Sequence, residues 1–193
     1  NSSYWEILTI GSLDPNDILV NRDSIYDYEL VTPPYLDYLI RFQNTGNDTA
    51  FYVRIGNNIT PDLNLSTFEI VAFSHPMDLE YSVHSRLLEF TFNNILLPDS
   101  NVDEPESHGF VRYRIKPVSS LVVGDSILNR ADIYFDFNQP VSTNTAVTEI
   151  VMPVGIGQQL AVSGQRLMIY PNPAHDEITI VVDGMNGQVI SLA

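Results

Sequence analysis

Cysteine is absent from all 193 residues. That excludes disulfides, thiolate zinc centres, iron–sulfur clusters and cysteine nucleophiles. Lysine is nearly absent as well. Lys116 is the single lysine among nine cations, and 24 acidic residues leave a formal charge of −15. A chain this acidic has no basic stripe with which to displace phosphate counterions, so nucleic acid is excluded as a partner. One lysine also leaves little scope for Schiff-base chemistry, and neither a Gly-x-Ser-x-Gly elbow nor a Ser-x-x-Lys motif occurs. Long apolar runs are missing. Ile178–Val182 and Ser120–Val123 are strand-sized, far short of a membrane helix, so no membrane span is expected. No apolar period of 3.6 runs over ten or more residues, so helices should be few and short.

What the chain does have is 44% hydrophobic residues, too many for disorder throughout, arranged with a period of two. Tyr38, Ile40 and Phe42 form one alternating set, Phe51, Val53 and Ile55 a second, Leu88, Phe90 and Phe92 a third. Val111, Tyr113 and Ile115 form a fourth, and Ile133, Phe135 and Phe137 a fifth. Each reads as a strand with one covered and one wet face. On these phases Phe42, Phe51, Val53, Phe90, Tyr113 and Phe135 are expected in a core. Turn residues separate the runs: Asn44–Asp48, Asn57-Asn58, Pro61-Asp62, Leu97–Asp99 and Gly124-Asp125. The spacing predicts about seven to nine strands between residues 16 and 151. The fold class is therefore all-β: a single Ig-like antiparallel β-sandwich over residues 1–151, followed by a short C-terminal β segment. Residues 152–165 hold no charge in Met152–Gln159 and read as a linker. Beyond it, Leu167–Tyr170, Ile178–Val182 and Gln188–Leu192 look like three short strands.

Two stretches resemble known families. Met168-Ile169-Tyr170-Pro171-Asn172-Pro173-Ala174-His175-Asp176-Glu177-Ile178-Thr179-Ile180 resembles the start of the type IX secretion C-terminal sorting domain of Bacteroidetes-type bacteria. The likeness covers residues 166–193, a truncated opening of that domain. Gly11–Asp17, Arg41–Ala50, Leu97–Ser100, Ser107–Phe110 and Ala131–Asn138 resemble an uncharacterised β-sandwich repeat that often precedes it. The resemblance implies a non-catalytic spacer or presentation module near the C-terminus of a secreted or cell-surface protein. It also implies the secretion machinery as a partner of the tail.

Oxygen ligands are plentiful and suit calcium rather than a transition metal. Asp132, Asp136 and Asn138 fall on the polar phase of a strand read over 132–138, and Asp14, Asn16 and Asp17 form a second cluster in a Pro-containing turn. If that turn packs on the strand, five or six oxygens converge, roughly a calcium shell. The alternative is that these acids cap turn amides or face water. Asp99–Glu104 alternates acids and amides but lacks the glycine and the terminal glutamate of an EF-hand. The four histidines, His75, His84, His108 and His175, are expected in turns or structural hydrogen bonds. Ten tyrosines and one tryptophan leave a second functional reading open: an adhesin or carbohydrate-binding module that stacks cell-surface glycans on exposed rings.

Overall fold

Alternating residues become paired strands where one phase can be covered. In the computed structural model, which describes residues 14–153 and the backbone of 167–170, 178–182 and 190–192, the strands are β1 (Asp17–Val20), β2 (Ser24–Tyr26), β3 (Leu36–Gln43), β4 (Ala50–Asn58), β5 (Leu63–Phe73), β6 (Asp78–Ser82), β7 (Leu87–Leu97), β8 (His108–Pro117), β9 (Ser126–Asn129), β10 (Ala131–Phe135), β11 (Val141–Ser142) and β12 (Ala146–Val151), then β13 (Leu167–Tyr170), β14 (Ile178–Val182) and β15 (Ile190–Leu192). Two short 3₁₀ turns, Asp27–Val31 and Pro105–Ser107, are the helical pieces among the described residues. Twelve strands precede residue 152, more than the seven to nine expected. The excess is in pieces such as β1, β2 and β11, of four, three and two residues, too short to show a period.

A four-stranded sheet runs β1-β3-β8-β5 and a five-stranded sheet β11-β10-β4-β7-β6, with a smaller sheet β2-β12-β9 beside them. All ladders are antiparallel except β2 with β12, which is parallel with Ile25 opposite Ile150. The inward phases of the sheets supply one apolar cluster drawn from Ile18 through Ile150. Its rings interlock: Phe42 lies 5.2 Å from Phe92, Tyr38 5.3 Å from Tyr113, and Phe90 6.0 Å from Tyr113. The expectation holds for Phe42, Val53, Phe90 and Tyr113, all fully buried. Phe135 is half-buried, 6.3 Å from the Phe42 ring.

Phe51 overturns the expectation: it is 57% exposed. Strict alternation fails there because the β4–β7 register slips, pairing Ala50 with Leu97 and Tyr52 with Asn93. Phe51 alone thus faces Asn94, Ile95 and Leu96, and such a bulge re-aims the side chain it contains. Asn94 and Leu96 take left-handed φ angles of 53° and 51° to accommodate it.

Two polar devices finish the sandwich. The side-chain amide of Asn144 donates to the Ile18 carbonyl (3.0 Å), and its oxygen accepts from the Ile18 amide (2.9 Å). It thereby satisfies the backbone edge of β1 that β3 leaves unpaired. Inside the core, the Tyr113 hydroxyl donates to Asn57 Oδ1 (2.6 Å) and accepts from Asn129 Nδ2 (2.6 Å). Asn57 Nδ2 closes the triangle on Asn129 Oδ1 (2.7 Å) and also reaches the Arg130 carbonyl (2.9 Å). The Tyr38 hydroxyl lies buried beside Asn129 without a hydrogen-bond partner among the described residues.

β13, β14 and β15 pair with one another as a three-stranded antiparallel sheet, at the places expected from the sequence. Most of the expected linker falls outside the described residues.

Candidate functional site

The outer face of the five-stranded sheet carries an aromatic shelf. On β4, Val53 and Ile55 point inward, so Tyr52 and Arg54 point out; on β10, Ile133 points inward and Tyr134 out. Tyr134 stands opposite Arg54 across the ladder. The guanidinium lies 3.9 Å from the Tyr134 ring centroid and donates to Glu89 Oε2 at 2.9 Å. Stacking over a ring and pairing with a carboxylate both use the planar cation.

β10 stops at Phe135, because Asp136 enters the left-handed region with φ 51°. The expected alternation through 138 therefore breaks. Asp136 Oδ1 instead accepts from the amides of Phe51 (3.0 Å) and Tyr52 (2.9 Å), and its own amide donates to the Tyr52 carbonyl (2.8 Å). This clamps the end of β10 to β4 opposite the β7 bulge and throws Phe137 fully into solvent. Tyr52, Arg54, Tyr134, Asp136, Phe137 and Asn138 line an open depression of about 560 Å³.

Of the six residues proposed for calcium, Asp136 and Asn138 share this depression, and Asp132 lies four residues before Asp136 on β10, where its Oδ1 accepts from the Ser142 hydroxyl at 2.5 Å. Asp17 opens β1 in the other sheet, and Asp14 and Asn16 lie in the turn before it. Asp14 Oδ1 accepts from the Asn16 amide (2.9 Å), and Asn16 Oδ1 from the Gln43 amide (3.2 Å). Asp17, almost fully buried, forms a two-point ion pair with Arg41 and holds that guanidinium's pKa above its usual value. Among the described residues no group of three or more His, Asp or Glu side chains is placed to hold a metal ion. The Asp99 loop is likewise internally bonded, with Asp99 Oδ1 accepting from the Asn101 amide at 3.0 Å.

The opposite sheet has a second open depression, also of about 560 Å³, lined by Arg41, Ser74, His108, Phe110 and Arg112 among others. Its arginines are matched across the strands, Arg41 with Asp17 and Arg112 with Asp37 at 3.3 Å, and His108 Nε2 lies 2.9 Å from Glu104 Oε1. Further along the same face Glu69 accepts from Arg114 and from the Tyr35 hydroxyl, which together hold its carboxyl below the usual range. Neither Ser107 nor Ser74 is set up as a nucleophile beside a base. The buried Ser107 hydroxyl donates to the Glu104 carbonyl. The Ser74 hydroxyl touches His75 Nδ1 at 2.8 Å, with no carboxylate bonded to that ring among the described residues. Nor is any described helix long and apolar enough to cross a membrane.

The shelf was only partly foreseen. Asp136 and Asn138 stand out in the sequence for their oxygens and Tyr134 shares their polar phase, whereas Tyr52, Arg54 and Phe137 carry no such mark. The available signal was aromatic residues on the polar phase of two strands, Tyr52 on β4 and Tyr134 on β10.

The fold is an Ig-like antiparallel β-sandwich. The sequence matches the family described as Domain of unknown function (DUF7619) over residues 14–149, and the chain belongs to that family. Among solved structures it is similar to the N-terminal domain of the Streptococcus gordonii adhesin Sgo0707, with TM-score 0.50 and 10% identity, covering 72% of this chain and 33% of that one. It is also similar to the full-length major pilin SpaD from Corynebacterium diphtheriae (TM-score 0.47, 15% identity, 69% of this chain and 35% of that one). A third is the collagen-binding domain from a Staphylococcus aureus adhesin (TM-score 0.44, 9% identity, 72% and 99%). The chain thus spans about a third of the Sgo0707 and SpaD chains, and the likeness is one of fold. No curated protein matches the sequence.

Proposed function

We propose that this chain is a non-catalytic module of a secreted or cell-surface bacterial protein. In this reading residues 1–151 form a sandwich that spaces or presents other parts of the protein, 152–165 a linker, and 166–193 the opening of a type IX sorting domain read by the secretion machinery. The observation that carries it is the Tyr170-Pro171-Asn172-Pro173 motif, followed by the apolar strand Ile178–Val182 and preceded by a sandwich. The commitment of His108, Ser107, Asp17 and Asp99 to structural bonds supports the non-catalytic part. The test is localisation of the full gene product in its native host. Replacing Tyr170, Pro171, Asn172 and Pro173 together by Ala should trap the protein inside the cell envelope; unchanged appearance outside the cell refutes the export reading. Calcium binding by Asp14, Asn16, Asp17, Asp132, Asp136 and Asn138 together would require the turn before β1 to move onto β10, since the two triads lie on different sheets. Millimolar calcium should then raise the Tm, with Asp132→Asn removing the rise. No shift rejects it.

A further inference from the structure

We propose that the shelf of Tyr52, Arg54, Tyr134, Asp136, Phe137 and Asn138 binds a neutral oligosaccharide. The rings come first. Phe137 is fully exposed and held there by the left-handed Asp136, whose carboxylate is anchored to two β4 amides. A fully exposed phenylalanine on an anchored turn offers a flat apolar face, and the C–H face of a pyranose is its natural complement. Tyr52 and Tyr134 add half-exposed rings along the same depression.

The polar groups come second. The remaining oxygen of Asp136 and the side-chain amide of Asn138 have no hydrogen-bond partner among the described residues, and both line the depression with Arg54. Acceptor, amide and guanidinium around an aromatic face match the donor and acceptor pattern of sugar hydroxyls.

Charge decides against other occupants. Arg54 is neutralised by Glu89, Glu80 stands directly across from Glu89, and the whole chain carries −15, so phosphate, sulfate and uronate ligands are repelled. A cationic ligand would meet the Arg54 guanidinium already seated on Tyr134. An extended peptide adding a strand needs a free sheet edge, whereas β4 is paired on both sides and β10 is paired with β4 and, at Asp132 and Ile133, with β11. A sugar needs only side chains. This inference stands apart from the export reading, which is judged by cellular location.

Affinity electrophoresis of the chain in native gels containing β-glucan, mannan or xyloglucan, with polygalacturonate as the anionic control, tests it. At least one neutral polymer should retard the chain and polygalacturonate should not. Phe137→Ala should weaken that retention about tenfold and Asn138→Ala several-fold, with the Tm unchanged because both side chains are exposed. Phe110→Ala, in the depression on the opposite sheet, should leave it intact. Absence of retardation by all three neutral polymers, equal retention of Phe137→Ala, or retention by polygalacturonate alone overturns the proposal.

Discussion

Gly109 shows how a single missing side chain shapes the sandwich. It pairs directly with Phe42 between β8 and β3. A Cβ built there would stand 2.1 Å from the Phe42 ring, so the glycine is a seat for that ring rather than a turn residue. Gly109→Ala should therefore destabilise by about 1–3 kcal/mol through overpacking. Combined with Phe42→Leu it should cost less than the sum of the two, which urea unfolding of the four proteins measures. Tyr113 shows the opposite case, a large buried side chain with a polar end. Its hydroxyl is the hinge of the Asn57–Asn129 triangle, and Tyr113→Phe leaves two buried amides short of partners, at a cost of about 1–3 kcal/mol. Burial raises the pKa of both Tyr113 and Tyr38 well above the ordinary tyrosine value of about 10. The folded chain thus keeps these protons more tightly than the unfolded chain does. The stability they contribute is complete below pH about 10 and is lost as the pH rises towards the folded values. Ultraviolet titration of tyrosinate should show these two rings ionising only as the chain unfolds, and two extra phenolates appearing before unfolding would contradict this.

At the scale of elements, the bends between strands are held by side chains that sequence periodicity does not reveal. Arg86 takes a left-handed φ of 55° at the start of β7. Its Nε donates to the Ile59 carbonyl (2.9 Å), and its Nη2 to the carbonyls of Thr60 (2.8 Å) and Leu63 (2.6 Å). The loop between β4 and β5 is thus tied to a strand some twenty-five residues away by one guanidinium. Because no acid shares these bonds among the described residues, their strength comes from a cation on buried carbonyls. Arg86→Ala should cost about 2–4 kcal/mol, and Arg86→Lys should recover little, since a point charge cannot reach three carbonyls in a fork. A loss below half a kcal/mol in thermal or urea unfolding would contradict the role. The same contrast explains what was legible beforehand. β3, β4, β7, β8 and β10 announce themselves because each alternates for five residues or more. The bulge at Phe51, the left-handed Asp136 that ends β10 and the pairing of β2 with β12 depend on partners distant in sequence. The shelf was half legible for the same reason: the oxygens of Asp136 and Asn138 stand out in the sequence, while the exposure of Phe137 follows from a turn fixed by β4 amides.

For the whole molecule, the question is whether the sandwich is complete before the tail begins. The buried apolar cluster is drawn from Ile18 to Ile150, and β12 closes it by pairing with β9 on one side and β2 on the other. The Asn144 clamp on Ile18 and the Thr148 hydroxyl on the Arg22 carbonyl (2.7 Å) fasten the last strand to the first two. First and last elements of the sandwich are therefore joined by side-chain bonds that do not involve residues beyond 151. Strands β13 to β15 find their ladder partners in one another, and three short strands bury too little apolar surface to be stable alone. Removing residues 152–193 should accordingly leave the Tm of the remaining chain within a few degrees of its original value, with the same urea dependence. Cutting at residue 143, which removes Asn144 and β12, should abolish cooperative unfolding, because Ile25, Ile127 and the edge of β1 lose their cover. A large drop in Tm on removing 152–193 alone would show that the tail completes the core, and the division into sandwich, linker and tail would fall with it.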